Sequence, residues 1–233
     1  MPERFGLYYA PPVTSELWRR AAIWLGRDAA NSAELEADIG GFDPERRHAV
    51  TQQARRYGFH ATLKAPMGLD GKLEGKDLDR ALKAWAGAQA PVSIGRLHIA
   101  PLGRFLALLP VTQTEALTDF AAAVVEDFDG FRAPLSAADR QRRHENLRLS
   151  AHQAELLERF GYPYVLDQFL FHMTLSDQLP PDELAPVRAA AEVWFAPVLG
   201  EDVLLDRLVL FREAEPGAPF LRVRDYPLTG AAR

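Results

Sequence analysis

The chain has 233 residues, 48% of them hydrophobic, with 27 basic and 32 acidic side chains for a formal net charge of −5. That is apolar material enough for a substantial core, while the acidic balance leaves no overall basic field to gather a long nucleic acid. Cysteine is absent, which excludes disulfides, thiolate nucleophiles and cysteine zinc sites. No apolar run approaches the roughly 18 residues that cross a bilayer, and MPERFGLYYAPP lacks the basic and hydrophobic segments of a secretory signal. A cytoplasmic location without membrane contact is the resulting expectation.

In chain order, Phe5 to Ala10 reads as a strand stopped by Pro11 and Pro12, and Trp18 to Leu25 as a helix after the cap candidates Thr14 and Ser15. A polar loop containing Gly40-Gly41 follows, within a segment, 27–43, long enough to serve as a lid. Residues 44–55 read as one helix, and 58–66 as a strand stopped by Pro66. Leu78, Leu82 and Trp85 mark an amphipathic helix. VSIGRLHIAPLGRFLALLPV reads as a hairpin turning at Pro-Leu-Gly, and Leu117, Phe120, Ala121, Val124 and Phe128 mark a second amphipathic helix. Residues 137–160 form a charged helical stretch, and 168–176 a second strand. A helix opens at Pro181 with Leu184, Val187, Ala191 and Trp194 along its buried stripe. The closing VLLDRLVLFREAEPGAPFLRVRDYPL reads as a hairpin turning at AEPGAP.

Each half therefore carries a strand, an amphipathic helix and a hairpin. This weak internal repeat predicts an α+β fold: a single bilobal domain over 1–233, two antiparallel sheets with a pseudo-twofold relation, helices outside and a cleft between the lobes.

The two strands share a pattern. FHATL at 59–63 and FHMTL at 171–175 both read Phe-His-x-Thr-Leu in a chain with only six histidines. Alternate residues on a strand face one side, so His60 projects with Thr62, and His172 with Thr174, while Phe59, Ala61, Leu63, Phe171, Met173 and Leu175 face the core. Half-buried strands carry such residues routinely; it is the doubling that points to a joint site. Two imidazoles across a cleft supply a general base and a general acid near neutrality, and two threonine hydroxyls can donate to oxygens that gain charge. In-line displacement at phosphorus is the chemistry best served. With no carboxylate at ligand spacing and no His-x-x-x-His pair, no metal site is expected.

At these motifs the sequence resembles the two-histidine (2H) phosphoesterase superfamily, and RRYGFHATLKAP with FHMTLS is similar to its subfamily of phosphonate-metabolism proteins encoded in phosphonate-degradation operons. The resemblance implies a bilobal fold, His60 and His172 as the catalytic pair, Thr62 and Thr174 orienting phosphate, and no cofactor. It further implies a small phosphorylated sugar or nucleotide as substrate, such as 5-phosphoribosyl 1,2-cyclic phosphate. Around the motifs, Arg55, Arg56, Tyr57 and Lys64 are candidate phosphate contacts, Lys64 because alternation sets it on the face of His60 and Thr62. Arg143, within the basic run Arg140, Arg142, Arg143 and His144, is a candidate anchor for a second phosphate. Arg96 and His98 share a strand face and read as surface; His48 and His152 read as solvated; Arg207 and Glu213 read as a structural pair. Tyr8 and Tyr9 face opposite ways, one to the core and one free to border the site. A monomer or weak oligomer is expected. An RNA-end enzyme with the same chemistry and a non-catalytic phosphate-ligand binder are the competing readings.

Overall fold

The computed structural model describes residues 3–136, 140–141 and 148–231. Its elements are β1 (Arg4–Tyr9), α1 (Glu16–Leu25), α2 (Pro44–Val50), α3 (Gln52–Tyr57), β2 (Ala61–Met67), α4 (Gly75–Ala88), β3 (Val92–Leu102), β4 (Phe105–Pro110), α5 (Glu115–Asp127), α6 (Ala151–Phe160), β5 (Met173–Thr174), α7 (Pro181–Leu199), β6 (Asp202–Leu205), β7 (Arg207–Glu213) and β8 (Leu221–Pro227). The helix ends follow from local chemistry. Ser15 Oγ accepts from Trp18 N at the start of α1, and Gly26 closes it at φ 75°; a Ser150/Gln153 capping box opens α6, and Gly161 ends it at φ 74°.

The strands form one eight-stranded antiparallel sheet in the order β6-β3-β4-β5-β2-β1-β7-β8. The two expected sheets are its halves, joined where the motif strands meet through the Ala61–Met173 pair. Their membership crosses the sequence halves. The hairpin β3-β4 follows the first motif strand but pairs with the second, β4 against β5, whereas β7-β8 returns to β1 beside the first. The expected closing hairpin also divides: β6 pairs with β3 at one edge, and one residue later, past Asp206, β7 begins beside β1. Neighbours in sequence thus sit near opposite ends of the strand order, which requires the sheet to curl.

Two further expectations are corrected. The helix read over 44–55 breaks at Thr51, whose φ of −124° and ψ of 9° separate α2 from α3. The second motif strand is regular only at Met173 and Thr174; upstream, Phe171 N donates to the Gln113 side chain instead of to a strand partner, and downstream Leu175 N still reaches Leu106 O.

The alternation holds at both motifs. Phe59, Ala61, Leu63, Phe171, Met173 and Leu175 are all buried in one continuous core with the inner faces of α1, α4, α5 and α7. Burying a large apolar side chain is worth about 2 kcal/mol, so these six positions together fix which face of each strand turns outward. Among the described residues, no helix is long and apolar enough to cross a membrane.

Candidate active site

The Ala61–Met173 pair is the pivot of the site. Extending its antiparallel register by one residue each way sets His60 across from Thr174 and Thr62 across from His172. The four polar groups thus occupy the corners around one core pair. On that register each histidine stands opposite the other motif's threonine.

Both imidazoles are wired alike. His60 Nδ1 lies 2.9 Å from Gly58 O, and His172 Nδ1 lies 2.9 Å from Leu170 O. A carbonyl can only accept, so Nδ1 carries the hydrogen in each ring and the neutral imidazole presents the Nε2 lone pair. At His60 that nitrogen receives the Thr62 hydroxyl at 3.2 Å; at His172, among the described residues, no side chain meets it.

Burial disfavours the imidazolium at both positions. The His60 pKa is pushed down to about 4, chiefly by desolvation, with His172 adding a smaller push in the same direction. The His172 pKa is lowered as well, again by burial. Tyr8 contributes to the enclosure: its ring stacks on His60 with centroids 3.8 Å apart and planes 20° from parallel. Gly6 is what admits that ring, since a Cβ there would stand 2.4 Å from Tyr8 Cζ. The Tyr8 hydroxyl is buried without a hydrogen-bond partner among the described residues, and burial holds it firmly protonated.

A cleft of about 680 Å³ opens over this wall, lined by His60, Thr62 and Thr174 together with Tyr8, Tyr57, Phe105, Tyr162, Ser176 and Asp177. Its size suits a small molecule. Tyr57 stacks on Phe220 at 4.9 Å, so its ring is held in place as a wall. Phe105 stands 5.8 Å from the His172 ring. Asp177 supports the opposite side: its carboxylate accepts from Gln53 N and Ala54 N at the start of α3, and its own N–H donates to Val50 O. The tail of the second motif therefore clamps the helix that leads into the first. No residue of 27–43 lines the cleft; Ile39 and Phe42 of that segment are buried in the core.

Of the expected phosphate contacts, Tyr57 lies on the cleft and three others point elsewhere. Lys64 is 3% exposed, its ammonium donating to Val125 O at 3.0 Å and Asp129 Oδ1 at 2.9 Å. The reason is a bulge: two residues of β2, from Thr62 to Lys64, oppose the single step from Tyr8 to Leu7, which breaks the alternation that would have kept Lys64 beside Thr62. Arg56 pairs with the fully buried Glu213 and donates to Gly217 O and Ala218 O. Arg55 lines a separate cavity behind α3. Arg143 lies outside the described residues, and the neighbouring Arg140 pairs with Glu158.

Among the remaining expectations, His98 is exposed on β3, and His152 is exposed with its Nε2 2.8 Å from Asp167. Arg207 and Glu213 are structural but not partners: Arg207 holds Asp206 and Asp225, and Glu213 holds Arg4 and Arg56. Sequence reasoning missed Phe105 and Tyr162, which reach the cleft from other elements, and Asp177 in the tail of the second motif. Asp177 had the one available signal, standing three residues past Thr174. Among the described residues, no group of three or more His, Asp or Glu converges as a metal ligand set.

Paired His-x-Thr strands at the centre of an antiparallel sheet, beneath a cleft of small-molecule size, define the class: an α+β protein with a two-histidine site. The chain belongs to the family described as "Protein of unknown function (DUF1045)", whose profile matches residues 62–221. It is 35% identical over 232 residues to a Janthinobacterium sp. (strain Marseille) protein named ribose 1,5-bisphosphate phosphokinase PhnN, covering 97% of this chain and 51% of that one. A protein of the same name from Laribacter hongkongensis is 34% identical over 219 residues, covering 93% and 50%. The chain thus spans about half the length of these curated relatives. Among solved structures, E. coli LigT complexed with 3'-AMP is similar over 98% of this chain and 99% of its own at 15% identity and a TM-score of 0.46. A Thermus thermophilus protein is similar over 98% and 100% at 17% identity and a TM-score of 0.45. The fold described above stands on the sheet topology and not on these scores.

Proposed function

We propose that the chain is a phosphodiesterase that opens a cyclic phosphate on a small sugar or nucleotide, with His60 and His172 as its proton-transfer pair. The observation that carries the reading is the shared wiring of the two rings. Each Nδ1–H is tied to the carbonyl two residues upstream, so Nε2 is the nitrogen left for proton transfer in each ring, at His60 in the lining of the cleft and at His172 beside the lining residue Phe105.

In the reaction, one neutral imidazole removes a proton from water as the water oxygen bonds to phosphorus. The ring P–O bond breaks, and the other imidazole, as imidazolium, delivers its proton to the departing oxygen. The products are a phosphate monoester and a free hydroxyl. Thr62 and Thr174 donate to the non-bridging oxygens, where charge accumulates. His60, which burial keeps neutral, is suited to the base once the Thr62 hydroxyl turns from its Nε2 to a phosphate oxygen, and His172 is assigned the acid. A bound phosphate raises both pKa values by its negative charge, which brings the acid into its working form.

A phosphoribosyl cyclic phosphate, such as 5-phosphoribosyl 1,2-cyclic phosphate, is the substrate this reading favours. Support comes from the curated relatives, whose name assigns them a phosphorylated ribose as substrate. The aromatic faces of Tyr57, Phe105 and Tyr162 favour a nucleobase as a second possibility, which keeps nucleoside 2',3'-cyclic phosphates in view. The test is steady-state hydrolysis of both substrate types by wild type, His60→Ala and His172→Ala. Each variant is expected to lose at least about 100-fold in kcat with folding preserved. Full activity in His172→Ala overturns the reading.

A further inference from the structure

Behind α3, on the side turned away from the cleft, lies a second cavity of about 120 Å³. Helical spacing puts it there: Gln53 and Tyr57 reach the cleft, and Arg55, two residues from each, points the other way. Arg47, His48, Thr51 and Arg55 line it together with Glu34 and Glu36. Arg47 is 5% exposed, and the one hydrogen bond its guanidinium makes among the described residues is to Ile23 O. Arg55 Nε is buried without any acceptor. Neither guanidinium has a carboxylate within ion-pair distance among the described residues, and the exposed Glu34 and Glu36 do not reach them. Behind them stands a third arginine, Arg27, 7% exposed, which donates to the carbonyls of Arg55, Arg56 and Phe220 yet leaves Nη1 without an acceptor.

Like charges so placed repel. Burial lowers the pKa of Arg47 and Arg27, and Arg55 adds to both shifts, opposed at Arg47 by Glu36 and at Arg27 by Asp28. Elsewhere in this chain buried cations are matched: Lys64 has Asp129, and Arg222 has Asp225. A buried guanidinium is ordinarily paired, and a fork of N–H donors suits a tetrahedral oxyanion. We propose that this cavity is an oxyanion site, sized for inorganic phosphate and separate from the cleft, in which Arg47 and Arg55 hold the anion and Thr51 lies at its side. Because α3 carries Arg55 on one face and Tyr57 on the other, an anion there fixes the helix that forms one wall of the cleft. The site does not depend on the activity proposed above.

The test is an NMR titration of the full chain with inorganic phosphate, following the arginine Nε–H signals, in wild type, Arg55→Met and His60→Ala. Potassium chloride at equal ionic strength is the control, and ribose 5-phosphate is a second ligand that separates free phosphate from a phosphate ester. The proposal expects saturable shifts of the Arg47 and Arg55 signals in wild type and in His60→Ala. In Arg55→Met, the Arg47 response should weaken by at least about tenfold. A response to ribose 5-phosphate equal to that of phosphate would show that the cavity admits an ester and overturn its assignment to the free ion. Absence of a saturable shift, an equal shift with chloride, or loss of the arginine response in His60→Ala would each overturn the separate site. Arg47→Lys, which keeps the charge and loses the fork, provides a second variant if Arg55→Met unfolds.

Discussion

Gly58 offers the sharpest test of how the backbone holds the first histidine. Its φ of 78° and ψ of 177° lie in a region essentially reserved for glycine, where another residue costs about 1–3 kcal/mol. A Cβ on Gly58 would also stand 2.6 Å from the Ala29 Cβ, and overpacking of this kind costs about 1–3 kcal/mol more. Gly58→Ala is therefore expected to destabilise the protein by about 3–4 kcal/mol, read as a fall in the urea midpoint with an unchanged slope. Adding Ala29→Gly should recover the packing share and leave the backbone share. The same substitution moves the carbonyl that receives His60 Nδ1–H, so the His60 ring signals should shift even where the fold persists. A loss below about 1 kcal/mol in Gly58→Ala would refute both the backbone assignment and the contact.

Three further outcomes follow from the same geometry. The folded-state pKa of His60, about 4 against an ordinary 6.5, means the unfolded chain takes up the proton first as pH falls. The contribution is thus complete above about 6.5 and lost towards 4, and unfolding at pH 4.5 and 7 should show wild type losing about 2–3 kcal/mol more than His60→Gln; equal losses would contradict the burial of the ring. Tyr8→Phe removes a hydroxyl that has no partner among the described residues and keeps the stack on His60, so thermal unfolding should show no loss, and a gain up to about 2 kcal/mol; a clear loss would show that the hydroxyl is satisfied. Lys64→Met should cost about 1–3 kcal/mol, less than a fully buried pair because Arg132 also holds Asp129, while any hydrolytic activity persists within a few-fold; abolished activity with the fold intact would restore Lys64 to the cleft.

What the sequence disclosed was whatever depends on local periodicity. The apolar-polar alternation at 59–63 and 171–175 determined which way His60 and His172 point, and Ser15 marked the start of α1 by its capping chemistry; the single helical stretch read over 137–160 is instead interrupted at 148–150, where Ser150 caps α6. Lys64 escaped because one bulge in β2 reversed the alternation that had placed it beside Thr62, and bulges leave no periodic trace. The exchange of hairpins between the halves escaped for a related reason: order along the chain says which strands exist, but pairing of β4 with β5 is a long-range choice made by core packing. Phe105 and Tyr162 came to the cleft through those choices. Arg55 illustrates the intermediate case, since its helical spacing from Tyr57 already separated the two, and only the assumption of a common site joined them.

The central claim is that two imidazoles direct water to phosphorus. Phosphorus NMR of 5-phosphoribosyl 1,2-cyclic phosphate and nucleoside 2',3'-cyclic phosphates, incubated with the protein in ¹⁸O-labelled water and EDTA, tests it most directly. The account predicts conversion of one of them to a phosphate monoester carrying one ¹⁸O on phosphorus, with none formed by His60→Ala. Absence of conversion with every substrate, unlabelled phosphorus in the product, or equal conversion by His60→Ala would contradict it.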